Sequence, residues 1–429
     1  MTDHTSPPSW RRLWAVWGKI GLMSFGGPAA QIALMHRVIV DDEKWLSEAR
    51  FLNALSFCML LPGPEAMQVA TYVGWRLRGV WGGLLAGMLF IMPGAMVIFA
   101  LALLYFEYGH TAQGSALFSG INAAVLGIVI HALRTMARRN LTSLTAIALA
   151  TLSFIGLFFF NAPFPLVILS AGVAGYLLSG RPSQADQADR VAPTIQWRQS
   201  LFDALLWGSL WAVPLVLISL FGGTPVYGQL SLYFSKLAVV SFGGAYAGLA
   251  YMTQAAVETH SWVSAEDMLN ALGLAETTPG PLILVTQFIG TLAGLSVGSI
   301  TTGLIAGCVT LWATFVPCFL WVFLGAPYIE RLDQSPRLRA ALRGILAAVV
   351  GVMINLSVWF GLRVMFEGLT PYHIGPMTLT VPQMATVDPW SIVMIGVAVT
   401  LLALRPSAIV MTLVICAALG WGGAQIPYL

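Results

Sequence analysis

Long apolar stretches recur along this chain, at residues 80–106, 141–160, 201–221 and 391–404. Most match or exceed the ~20 residues with which a helix crosses the hydrocarbon core of a bilayer. Only 9% of the 429 residues are charged and 58% are hydrophobic, against roughly 25% charged in a soluble globular domain. No soluble interior hides so much apolar surface. Backbone groups in lipid must be satisfied within the segment, and these runs are too long and too evenly apolar for barrel strands. The reading is an all-α polytopic membrane protein.

The net charge of +3 is small. Its basic residues cluster at the ends of apolar runs, where the positive-inside bias of membrane proteins accounts for them without nucleic acid. Cys58, Cys308, Cys318 and Cys416 stand singly, with no CxxC spacing, and read as small core residues rather than a metal or redox set. Trp10-Arg11-Arg12 has a faint twin-arginine look. The next segment is interrupted by Gly and Pro and lacks a small-residue cleavage site, so the arginines read as flanking charge of the first membrane segment.

The chain repeats itself. Lys19-Ile-Gly-Leu-Met-Ser-Phe-Gly-Gly27 returns 217 positions later as Lys236-Leu-Ala-Val-Val-Ser-Phe-Gly-Gly244. The same offset pairs Met35 with Met252, Trp45 with Trp262, Asn53 with Asn270, and Pro62-Gly63-Pro64 with Pro279-Gly280-Pro281. An offset of 224 then pairs Pro93 with Pro317 and residues 123–128 with 347–352. A duplicated unit follows. The expected organisation is an N-terminal membrane unit over residues 1–180, a polar cytoplasmic linker over 181–200, one connecting helix over 201–225, and a second unit over 226–429.

One extra crossing between two equal units inverts the second. The charges agree: residues 107–113 hold no Lys or Arg, whereas the equivalent stretch 330–343 holds Arg331, Arg337, Arg339 and Arg343. The next loop swaps the other way, with Arg134, Arg138 and Arg139 in unit one and no basic residue between Glu367 and Asp388. With cytoplasmic loops enriched in Lys and Arg, both comparisons predict inverted topology. The N-terminus, linker and Arg405 then lie in the cytoplasm and the C-terminus lies on the periplasmic or extracellular side of the inner (plasma) membrane. Basic residues on both flanks of the Gly/Pro-interrupted segments further predict re-entrant hairpins, broken at Phe25-Gly26-Gly27-Pro28 and at Leu61-Pro62-Gly63-Pro64.

Such breaks at membrane depth are tolerable where the freed backbone is buried in protein or lines a cavity. Broken helices in corresponding halves are how transporters present unpaired N–H groups and positive dipole ends to an ion. The competing reading is a set of kinks between packed helices. The candidate substrate-binding residues are therefore Lys19, Ser24, Gly26, Gly27, Gly63 and Gln68 with Lys236, Ser241, Gly243, Gly244, Gly280 and Gln287. Glu65, directly after Pro64, reads either as a coupling-proton site or as the cap of the restarted helix. Glu276 is the second proton candidate. Lys19 and Lys236 precede the two Ser-Phe-Gly-Gly runs at equivalent positions and read as a pair matched to a dianion, with snorkelling to the interface as the alternative.

The run Ser24-Phe-Gly-Gly-Pro28, Gln31-Ile-Ala-Leu-Met-His36, Cys58-Met-Leu-Leu-Pro-Gly-Pro-Glu-Ala66 and Ala70-Thr-Tyr-Val-Gly-Trp75, with Ser241-Phe-Gly-Gly-Ala-Tyr246 and Thr277-Thr-Pro-Gly-Pro281, resembles the chromate ion transporter family in its long, two-domain form. The resemblance implies proton-gradient-driven export of chromate across the inner membrane, with sulfate as a similar competitor. The residues by themselves point to a small anion. An inward sulfate or other anion carrier is the alternative, and possible pairing into a homodimer stays open. A membrane-embedded enzyme lacks support, because no HExxH, acidic metal cluster, catalytic triad or phosphate loop is present. No cofactor is expected.

Overall fold

In the computed structural model, described for residues 7–178, 197–242, 245–328, 336–375, 377–405 and 408–425, the chain is an all-α polytopic membrane protein. The helices are α1 Trp10–Met23, α2 Gly27–His36, α3 Glu48–Cys58, α4 Glu65–Tyr108, α5 Ala112–Asn140, α6 Leu144–Phe160, α7 Phe164–Leu178 and α8 Trp197–Phe221. They continue with α9 Pro225–Val240, α10 Ala245–Gln254, α11 Ala265–Thr277, α12 Val285–Val297, α13 Ile300–Gly325, α14 Pro336–Met365, α15 Pro389–Leu404 and α16 Ile409–Gly423. Five of the described helical segments are long and apolar enough to cross a membrane: Glu65–Tyr108, Ala112–Asn140, Ser200–Phe221, Ile300–Gly325 and Arg337–Met365. The linker over 181–196, Gly243, Gly244, and Glu330 with Arg331 lie outside the described residues.

Local chemistry sets the ends of these helices. Ser9, Thr111, Ser143 and Ser299 cap α1, α5, α6 and α13 by accepting backbone N–H groups, as N-cap hydroxyls do. Pro225 and Pro389 open α9 and α15, where a missing N–H costs nothing. The long α4 is not one rod. Arg78 (φ −143°) and Gly79 (φ +64°) leave helical geometry, and a Cβ on Gly74 would collide with the Gly82 carbonyl oxygen. The arms on either side of Arg78 and Gly79 therefore fold back on each other, with small residues letting the backbones touch.

The two halves carry the same local conformations at repeat-equivalent positions. After α2 and α10 come single π-helical turns, Arg37–Asp42 and Ala255–Thr259. Lys44 and Ser261, 217 positions apart, both adopt positive φ, +53° and +50°. The backbone N–H of Trp45 donates to Ile39 O and that of Trp262 to Ala256 O, each at 2.9 Å.

By contacts the chain forms two compact units, and each draws on both halves of the sequence. The first contains Met1–Ala102, Gly180–Gly248 and Thr278–Arg339, and the second Leu103–Ser179, Leu249–Thr277 and Ala340–Leu429. Within the second, Asn122 Nδ2 donates to Asn270 Oδ1 at 2.8 Å, Asn270 Nδ2 to the Tyr105 hydroxyl at 2.9 Å, and that hydroxyl to Asp267 Oδ1 at 2.7 Å. These bonds let polar groups sit in an apolar core.

One element was not anticipated. Between α14 and α15, where a loop without basic residues was expected, β1 Leu369–Ile374 and β2 Met377–Pro382 form an antiparallel hairpin. The cause is local: alternating Thr and apolar residues suit a two-faced strand, Gly375 turns the chain with φ +59°, and Pro371 and Pro382 are tolerated in so narrow a sheet.

Candidate functional site

The first unit brings together the Ser24-Phe25-Gly26-Gly27 run, Ser241 with Phe242, and both Pro-Gly-Pro turns. α1 ends at Ser24 (φ −80°, ψ 66°) and α9 at Ser241 (φ −81°, ψ 66°). Phe25 N–H returns to Met23 O at 3.0 Å and Phe242 N–H to Val240 O at 2.9 Å. Both serines are thus centres of inverse γ-turns, which swing their carbonyls off the helix axis. Each carbonyl finds the other half of the chain: Gly280 N–H donates to Ser24 O, and Gly63 N–H donates to Ser241 O, both at 2.9 Å. The serine side chains are buried, and Ser24 Oγ donates back to Ile20 O at 2.5 Å.

Glycine is required at these turns. Gly63 and Gly280 have φ of +111° and +90°, in the region that L side chains rarely adopt. A Cβ on Gly63 would come within 2.9 Å of Cys318 Sγ, next to Pro317. A Cβ on Gly94, next to Pro93, would collide with Pro279 O. The Pro-Gly-Pro turn of each half thus packs against the proline-bearing helix of the other, the two prolines being repeat equivalents.

Three glutamines tie the breaks. Gln31 Nε2 donates to Gly280 O at 2.6 Å, Gln68 Nε2 to Pro62 O at 2.7 Å, and Gln287 Nε2 to Ala95 O at 2.8 Å. Gln68 and Gln287, expected as donors to an anion, spend a donor on backbone carbonyls instead. The Oε1 atoms of all three are buried without a hydrogen-bond partner. Gln31 was not singled out from sequence. Its signal was a lone amide one turn into the apolar α2, with the small Gly248 at the repeat-equivalent position.

The remaining candidates are more dispersed. Gly26 (φ +87°) caps α2, and Gly27 is buried as its first residue. Glu65 is the half-buried first residue of α4, after Pro64. Glu276 is buried in the last turn of α11. Lys19 is exposed and lines a hollow of about 300 Å³ together with Arg37 and Asp42. Lys236 is exposed on α9. Gly243 and Gly244 lie outside the described residues. No group of three or more metal-ligating side chains occurs among the described residues.

Residues 11–176 and 228–421 match the family model described as Chromate transporter. The chain is 32% identical to a chromate transport protein of Pseudomonas aeruginosa, over 82% of this chain and 81% of that one. It is 28% identical to a probable chromate transport protein of Synechococcus elongatus, over 88% and 91% of the two chains. A chromate transport protein of Cupriavidus metallidurans is also 28% identical, over 82% of each. No solved structure matches.

Proposed function

We propose that this chain, which belongs to the chromate transporter family, is a secondary transporter that exports chromate from the cytoplasm at the expense of the proton gradient. The observation that carries the reading is the crossed pair of hydrogen bonds from Gly280 to Ser24 and from Gly63 to Ser241. Broken helices from both halves meet there, as in transporters that build a midplane ion site from discontinuous helices. The inverted arrangement of the halves is part of the proposal. It is supported by the swapped arginine bias and by the matched backbone conformations at equivalent positions.

The buried Oε1 atoms of Gln31, Gln68 and Gln287 leave polar acceptors free of protein partners at the breaks, where a buried unpaired acceptor costs about 1–3 kcal/mol and bound water or substrate would satisfy it. Glu65, at the restart of a broken helix, is the proposed proton carrier, with Glu276 as the second. Lys19 and Lys236 are the proposed anion-binding cations.

Expression in a chromate-sensitive host tests export. Cells carrying the chain are expected to hold less chromate than controls, and a protonophore is expected to erase the difference. Equal accumulation at equal expression would contradict export.

A further inference from the structure

The second unit carries a half-open cavity of about 350 Å³ that the break site does not use. Its wall comes from α6, α7, α10, the π-turn Ala255–Thr259, α14 and the β-hairpin. One face of the hairpin supplies Leu369, Pro371, Thr378 and Thr380. The first half has only Leu141–Ser143 between α5 and α6, the helices equivalent to α14 and α15, so the hairpin wall has no counterpart there.

Charge in this cavity is arranged as well as present. Arg363 lies with Cζ 3.9 Å from the Trp359 ring centroid, and Trp359 hydrogen-bonds the Glu258 carboxylate. A guanidinium stacked on an indole is held in one plane with its N–H fork turned outward. Asn161, Gln254 and Asn355 add amides to the same wall. The titratable or charged side chains that line it are Glu258 on the π-turn, Arg363 on α14 and Tyr251 on α10, the last stacked on Phe164 at 5.0 Å. None of the described lining residues from α6, α7 or the hairpin is charged, and the one titratable neighbour on the hairpin face is His373, whose Nδ1 lies 3.3 Å from the Oγ1 of the lining Thr378.

We propose that this cavity is a second binding site for a small oxyanion, in which Arg363 holds the anion and Glu258 competes with it for the guanidinium. A planar fork of donors with surrounding amides is complementary to a tetrahedral or trigonal oxyanion. The same Arg363 repels a metal cation. The volume of about 350 Å³ admits a small oxyanion together with water. Glu258 gates the charge. Desolvation by the wall raises its carboxyl above the ordinary carboxylate value, against the opposing pull of Arg363 and the Trp359 hydrogen bond. Below that raised value the carboxyl is neutral and Arg363 is available. As pH rises through it, the carboxylate neutralises Arg363 and the anion is displaced.

The proposal deepens the transport reading and rests on it for the choice of anion. Equilibrium dialysis of the purified full chain with radiolabelled sulfate tests it, since sulfate stays a dianion across the range used and any pH dependence belongs to the protein. As pH rises through the ordinary carboxylate range and above it, affinity is expected to fall, by at most about tenfold per pH unit for one linked proton. Glu258→Gln, which keeps a group able to accept from Trp359, is expected to hold the low-pH affinity at every pH. Arg363→Gln is expected to remove the pH-sensitive component, and Arg363→Lys to restore part of it. A Glu258→Gln protein, monodisperse on gel filtration, that keeps the wild-type pH profile overturns the site. So does wild-type binding by Arg363→Gln. Absent flux in vesicles with pH-linked binding intact overturns the transport reading and leaves this site standing.

Discussion

The backbone N–H of Gly63 donates to the carbonyl of Ser241 at 2.9 Å, and the residues at equivalent places in the other half, Gly280 and Ser24, repeat the bond at the same length. A turn from each half is thereby fixed to a helix end of the other. The two breaks cannot move independently: displacing one Pro-Gly-Pro turn pulls on the inverse γ-turn of the opposite half. A structure coupled in this way suits exchange between two discrete arrangements better than gradual deformation.

That coupling makes glycine positions unequal. A Cβ on Gly94 would collide with Pro279 O, and one on Gly21 with Leu89 O, whereas a Cβ on Gly18 meets nothing within 4 Å. Gly94→Ala and Gly21→Ala are each expected to cost about 1–3 kcal/mol from forced backbone shifts. Both should lower the apparent Tm in detergent and the yield in the membrane. Gly18→Ala, one turn from Gly21, is expected to match wild type. Equal stability of all three variants would contradict the packing described for the breaks.

Glu65 separates coupling from capping. Glu65→Gln keeps the size and hydrogen-bonding capacity of the side chain and removes its titratable proton. If Glu65 carries the coupling proton, the pH dependence of flux changes while the amount of inserted protein stays near normal. An unchanged pH dependence assigns Glu65 to the first turn of α4, where a carboxylate is favoured by the helix dipole at about 0.3–1 kcal/mol.

Inverted topology is open to cysteine labelling in a background lacking the four native cysteines. The Gln113→Cys variant, at an exposed position at the start of α5, is expected to react from outside. The Gln334→Cys variant, at a position outside the described residues, is expected to react only from inside. Reaction of both from the same side would remove the inverted repeat from the account.

Much of this architecture was legible in the sequence because its strongest signals are local. Apolar length marked the long helices, and Gly and Pro marked the breaks, with Gly26, Gly27, Gly63 and Gly280 at the positive φ that L side chains rarely adopt. Gln31 was missed because its role, a bond to Gly280 O across 249 positions, exists only in the assembled fold. The hairpin over residues 369–382 was missed because a two-stranded element of alternating residues gives a weak signal beside long apolar helices. The pairing of Arg363 with Trp359 had a spacing cue, four positions on one helix, but Glu258 is brought in by tertiary structure alone.

The paired lysines test the anion reading of the first unit. A lysine at membrane depth costs on the order of 3 kcal/mol unless paired or hydrated, and Lys19 and Lys236 stand at equivalent positions five residues before the two Ser-Phe-Gly-Gly runs. Lys19→Gln and Lys236→Gln are each expected to raise the half-saturating chromate concentration several-fold. The sharing of a hollow with Asp42 offers Lys19 another role, and unchanged concentration dependence in both variants would make the pair interfacial anchors.

The central claim is that this chain by itself moves chromate in exchange for protons, and reconstitution tests it most directly. Liposomes that carry the purified protein and are loaded with chromate should release it faster than loaded, protein-free liposomes do. The release should accelerate when the outside is made acidic relative to the lumen, the orientation that drives protons inward, and external sulfate should slow it by competing for the site. The predicted result is release that depends both on the pH gradient and on the protein. Release equal to that of protein-free liposomes, or release indifferent to the imposed gradient, would contradict the account.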